Sequence, residues 1–161
     1  MISADRLKAF EFFRGFGNEQ LEQLAVLATE EIYDAGAQVH KSGDMARALF
    51  MIEEGKVVLI MDSRLGPHKP AMQVTVDVIT KGDSMGWSAV VEPYAYTLGA
   101  LCIDRTKIIA IDAAALRTLM EEDKVLGYEV MRAAARLISN RLTHTRIILV
   151  GERGLSTKSD S

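Results

Sequence analysis

At 161 residues, 48% of them apolar and 25% charged, the chain has the length of one domain and the composition of a packed globular protein. A formal net charge of −3 and a pI near 5.6 argue against a general nucleic-acid binder, which concentrates Lys and Arg to release counterions from phosphates. The lone Cys102 excludes an intramolecular disulfide, Met1–Phe13 lacks the apolar stretch of a signal peptide, and no apolar run nears the ~18 residues that cross a bilayer. The expectation is a soluble, cytoplasmic protein.

The first elements along the chain are helical. Leu7, Phe10, Phe13 and Phe16 recur at three-residue spacing, and Leu21, Leu24, Leu27 and Ala28 resume it after a break at Gly15–Gly17. Two short amphipathic helices are predicted within residues 1–29, covering one end of the core. From Glu30 to Ile111 the pattern changes to short strands: Glu31–Tyr33, Gln38–His40, Ala48–Glu53, Lys56–Met61, Met72–Ile79, Tyr96–Cys102 and Lys107–Ile111. Turn residues divide them at Asp34–Gly36, Ser42–Asp44, Glu54–Gly55, Gly66–Pro70, Lys81–Asp83 and Asp104–Arg105. Val74, Val76 and Val78 alternate with Gln73, Thr75 and Asp77, which predicts a strand with its valine face buried. Many short strands at even spacing favour a roll or sandwich over a parallel α/β sheet. The expected class is α+β, a β-roll over residues 30–111 between helices.

Residues 112–150 read as helix again. Asp112 is placed to cap Ala113–Met120, and a long segment, Asp123–Val150, follows. Along it Gly127, Met131, Ala134, Ile138, Leu142, Thr145 and Leu149 share a stripe, with Val130, Leu137 and Ile148 beside it. That is more apolar surface than one small roll covers, so a partner helix is predicted, giving a homodimer through Met131, Ala134, Ile138 and Leu142. Arg132, Arg136, Arg141 and Arg146 recur at helical spacing and read as a solvated face. Residues 151–161, small and polar, are expected to form a flexible tail.

Catalytic signals are weak. His40, His68 and His144 are scattered, with no paired ligands for a metal, and Cys102 sits in an apolar strand with no His near it in sequence. Glu53–Glu54 and Glu121–Glu122–Asp123 look like a turn and a helix start. The methionines, Met51, Met85, Met120 and Met131 among them, are expected to fill the core. Neither catalysis nor a bound metal is expected.

Several strings in order carry a family resemblance: Tyr33–Val39 followed by Lys41–Asp44, Ala48–Val57, Lys81–Gly86 and Ile108–Asp112. Together with the helix–roll–helix order, they resemble the cyclic-nucleotide-binding domains of bacterial regulators and kinase regulatory subunits. The resemblance covers about Leu7 to Leu149. It implies a double-stranded β-helix, or jelly-roll, and a regulatory function in which a ligand in the roll shifts the terminal helices. The implied site is a phosphate cassette, with candidates Gly86, Trp87, Ser88, Ala89, Ala95, Tyr96 and Thr97. A glycine there lets backbone approach the ligand, and the short helix after it offers free N–H groups to an anion. The family places Glu directly after this glycine, for the ribose hydroxyl, and an Arg some residues later, for the cyclic phosphate. Here Trp87 and Ala95 stand at those places. A hydrogen bond to a charged group contributes ~1.5–3 kcal/mol, so losing the Arg–phosphate pair weakens binding roughly a hundredfold at ~2.7 kcal/mol.

Two functions stay open on this reading. One is a non-catalytic, ligand-sensing regulatory module with no resident cofactor, taking a cyclic nucleotide or another small anionic ligand, though cyclic AMP only poorly. The other is a dimeric protein-interaction or scaffold domain that has lost the ligand. Direct DNA binding is not expected, because the residues after Val150 hold no helix-turn-helix pattern.

Overall fold

Breaks and caps rather than one continuous helix shape the N-terminus. The computed structural model describes residues 1–63 and 72–159. Helix α1 (Ala4–Lys8) gives way to a 3₁₀ turn (Glu11–Phe13) before α2 (Asn18–Val26), where the Gln20 side chain accepts from the Gly17 N–H at 2.9 Å. The three-residue spacing of Leu7, Phe10 and Phe13 thus belongs to a broken helix and a 3₁₀ turn. Ala28, expected at the end of the second helix, instead begins a strand.

Among the described residues eight strands follow: β1 (Ala28–Tyr33), β2 (Gln38–His40), β3 (Ala48–Glu54), β4 (Lys56–Ser63), β5 (Met72–Thr80), β6 (Ser84–Met85), β7 (Gly99–Cys102) and β8 (Thr106–Asp112). They form two antiparallel four-stranded sheets, in the orders β1-β8-β3-β6 and β2-β7-β4-β5. This is the α+β roll expected from the strand spacing. Between β3 and β4 the chain turns at Gly55, φ 96°, where a Cβ would lie 2.5 Å from the Arg105 carbonyl oxygen. Only glycine fits there. The predicted break over residues 66–70 and His68 lie outside the described residues.

Period-two alternation explains the two cores. In β3 and β8, Ala48, Phe50, Ile52, Ile108 and Ala110 point between the sheets, while Leu49, Met51, Ile109 and Ile111 point at the helices. These strands are buried on both faces, so they read as nearly unbroken apolar runs. The valine face of β5 is a correction. Val74 and Val78 are 39% and 46% exposed, and Ile79 is the fully buried residue. Pairing with β4 sets Ile79 opposite the buried Val57, which turns Val78 outward, and a bulge beside Val76 shifts the phase beyond it.

The C-terminal helices are α3 (Ala113–Glu122) and α4 (Lys124–Ser159). Asp112 caps α3 as predicted, its carboxylate accepting from the Ala115 N–H at 2.8 Å. Asp123 is not the first residue of α4 but precedes it, accepting from the Leu126 N–H at 3.1 Å. The helix also runs past Val150 to Ser159, so the expected tail from residue 151 is helical backbone in its described part; one glycine in a helix costs only ~1 kcal/mol. Leu126, Val130, Ala133 and Ala134 of α4 are buried against the N-terminal helices and the outer face of the first sheet.

Candidate functional site

The cassette begins where β6 ends. Gly86, at φ 85°, swings the chain into a 3₁₀ helix (Trp87–Ala89), and a Cβ on it would come within 3.1 Å of the Ala48 carbonyl oxygen and the Phe50 ring. Glycine is needed both for the angle and for the approach. In the loop that follows, Tyr94 has φ 60°, an uncommon conformation for a bulky side chain. The Arg117 guanidinium from α3 stacks 4.3 Å from its ring centroid and donates to the Ala89 carbonyl oxygen at 2.7 Å.

The next residues decide what the interior holds. Ala95 bridges Met45 through the backbone, and Tyr96 turns its ring into the roll. The Tyr96 hydroxyl donates to the Ala48 carbonyl oxygen at 2.6 Å and accepts from the Ala48 N–H at 3.1 Å. Its ring stacks on His40 at 3.8 Å, and Phe50 lies 6.2 Å away. Neither buried His40 ring nitrogen has a well-formed hydrogen bond among the described residues; burial pushes its pKa down to about 4, and the Leu98 carbonyl nearby offsets this only in part. Burial likewise raises the Tyr96 hydroxyl above the usual tyrosine value. What remains open among Leu59, Gly86, Trp87, Ser88, Tyr96, Thr97 and Leu98 is about 20 Å³. That holds a water, not an organic ligand.

Of the expected cassette residues, Gly86, Trp87, Ser88, Tyr96 and Thr97 come together around this space. Two do not. Ala89 is fully buried on the helical side of the sheet, because the 3₁₀ turn points it away from the roll. Ala95, expected where the family's Arg stands, does not line the space; Tyr96 occupies the inward position.

The arginine face of α4 is also corrected. Arg141 pairs with Asp77 at 2.7 Å, with side chains only 16% and 11% exposed, and donates to the Ser84 carbonyl oxygen at 2.6 Å. Arg136 is half-buried, so the row is not simply solvated. His144 Nδ1 lies 3.3 Å from the other Asp77 oxygen. Arg117, Arg141, His40 and Phe50 are the site residues that sequence reading missed. Asp77, an acid in an apolar strand, was the available signal for Arg141.

The family model described as cyclic nucleotide-binding domain matches residues 30–123. The chain belongs to the cyclic nucleotide-binding domain family. No curated protein sequence matches it. Among solved structures, a Geobacter metallireducens protein described as cyclic nucleotide-binding is 30% identical, with a TM-score of 0.78 over 88% of this chain and 99% of that one. A cyclic nucleotide-binding domain from Methylobacillus flagellatus is 19% identical, with a TM-score of 0.76 over 92% and 81%. The Thermus thermophilus catabolite activator protein, 20% identical, gives 0.66 over 86% and 61%. The last two establish the fold alone. In this cyclic nucleotide-binding domain an aromatic stack of His40, Phe50 and Tyr96 takes up the space behind the cassette glycine. Among the described residues no helix is long and apolar enough to cross a membrane.

Proposed function

We propose that the chain is a non-catalytic regulatory module that does not take cyclic AMP in the family's manner. The observation that carries this is Tyr96, clasped by Ala48 and stacked on His40 in the roll. With about 20 Å³ left, a nucleotide enters only if this ring leaves. Among the described residues no cation lines the remaining space to meet a cyclic phosphate; its polar side chains are those of Trp87, Ser88, Tyr96 and Thr97. Cys102 is buried, its thiol pushed up by desolvation, which disfavours the nucleophilic thiolate. The regulatory part of the reading rests on two arginines. Arg117 from α3 holds the cassette's exit at Ala89 and Tyr94, and Arg141 from α4 holds its entry at Ser84. A displaced cassette therefore pulls on both terminal helices.

Titration calorimetry with cyclic AMP and cyclic GMP tests the first part. Wild-type protein is expected to show no saturable binding, and Tyr96→Arg with Trp87→Glu to gain it. Tight binding by the wild type overturns the reading.

A homodimer through α4 is the accompanying proposal, supported by Met131 and Leu142, 41% and 48% exposed on the helix. Ala134 is removed from the predicted seam, being 1% exposed within its own chain. It falls on the stripe of Leu126, Val130 and Ala133 that faces the sheet, and Ala135, exposed, takes its place.

A further inference from the structure

A second opening lies under α4, where the chain turns from β5 into β6. It encloses about 350 Å³, against about 20 Å³ behind the cassette glycine. Small-molecule sites begin at roughly 300 Å³. Phe12, Val78, Ala133 and Leu137 give it apolar walls, and its polar groups differ in how far they are already committed.

Asp77 is held by Arg141, and His144 lies 3.3 Å from its other oxygen. Asp83 accepts from the Thr80 N–H at 3.0 Å, and Glu11 pairs with Arg14 at 3.0 Å. Arg141 is spent on Asp77 and the Ser84 carbonyl oxygen. Arg136 is different. Its one side-chain hydrogen bond among the described residues, to the Phe12 carbonyl oxygen, is 3.4 Å long, which leaves most of the five guanidinium donors unused there. Asn140, one helical turn further along the same face, has no hydrogen-bond partner among the described residues.

We propose that this cavity binds a small organic monocarboxylate, its acid group on the Arg136 guanidinium and the Asn140 amide and its apolar part against Phe12 and Leu137. A guanidinium matches a planar carboxylate with two parallel N–H donors. The charge balance favours a monoanion. Glu11 and Asp77 are already paired with Arg14 and Arg141, so among the described residues lining the cavity Arg136 is the cation left to meet a ligand. It can match one negative charge but not, beside Asp83, the two of a phosphate dianion. The site uses neither Trp87 nor Tyr96, so it stands or falls apart from the cassette reading. Its walls are α4 and the turn leading to Ser84, so an occupant bears on the same joint that Arg141 ties.

The test is amide NMR on the full chain, with benzoate as probe and benzamide and inorganic phosphate as comparisons. Millimolar benzoate is expected to shift the Gly82, Ala133 and Asn140 amides saturably, with benzamide and phosphate leaving them in place. Arg136→Gln should weaken the benzoate response about tenfold or more, the loss of a charge-assisted contact. Asn140→Ala, at an exposed position that leaves the fold intact, should weaken it several-fold. The proposal is overturned by no saturable shift in the wild type, by an undiminished response in both variants, by an equal response to phosphate, or by shifts centred on Gly86 and Trp87.

Discussion

His40 carries two buried ring nitrogens without a well-formed hydrogen bond among the described residues, and burial pushes its pKa down to about 4. The folded protein therefore keeps it neutral, while the unfolded chain protonates it below about 6.5. The unfolded state binds the extra proton in that window, so stability falls as pH drops from about 6.5 to about 4, by about 3 kcal/mol, and levels off below. His40→Phe keeps a ring against Tyr96 and removes the titration; urea unfolding across this range should show a flatter pH profile for it than for wild type. An unchanged slope would mean that His40 is not the group responsible. Tyr96→Phe should cost about 1–3 kcal/mol at neutral pH, because the Ala48 amide and carbonyl lose their buried hydroxyl partner. Gly86 was marked in the sequence by the family resemblance, and its backbone angle explains why glycine stands there. Which of Ala95 and Tyr96 enters the roll was not. That depends on the loop before them, where Tyr94 at φ 60° breaks the alternation from which facing is read.

Between elements, one buried ion pair fastens the terminal helix to the roll. Arg141 and Asp77 are both largely buried, and the same guanidinium reaches Ser84, two residues before the cassette glycine. Removing one partner strands the other, which typically costs about 3–5 kcal/mol, whereas replacing both with apolar groups costs far less. Arg141→Met and Asp77→Leu are each expected to destabilise by a few kcal/mol in chemical denaturation, and the double variant by less than the sum. Additive effects would show that the pair does not act as a unit. Hydrogen exchange at Met85 and Gly86 should quicken in Arg141→Met if the pair also steadies the cassette. The positions of most strands along the chain and the helix cap at Asp112 could be read from periodicity and from a side chain's local bond. The contact of Arg141 could not, for helical spacing alone does not say which arginine finds an acid on another element. The facing of β5 escaped for a related reason, its register being fixed by β4 and a bulge.

At the scale of the whole molecule, α4 has more apolar surface than its own chain covers. Leu126, Val130, Ala133 and Ala134 face the sheet. On the other side Met131, Ala135, Ile138, Leu142 and Leu149 succeed one another at spacings that fit a heptad seam, with Met131, Leu142 and Leu149 at 41%, 48% and 47% exposure. Burying such a side chain is worth ~1.5–3 kcal/mol, so a seam built from two copies outweighs a several-kcal/mol cost of association. The helix has the length for it, 36 residues where few turns are needed to close the sheet. Light scattering at tens of micromolar should give twice the 17.7 kDa chain mass. Leu142→Asp places a charge in the seam at a position that the isolated chain leaves exposed, so it should yield monomers with unchanged helix content by circular dichroism. Ala134→Ser, inside the chain's own core, should lower stability without altering the assembly state. A wild-type monomer at that concentration, or a Leu142→Asp dimer, would remove α4 as the interface.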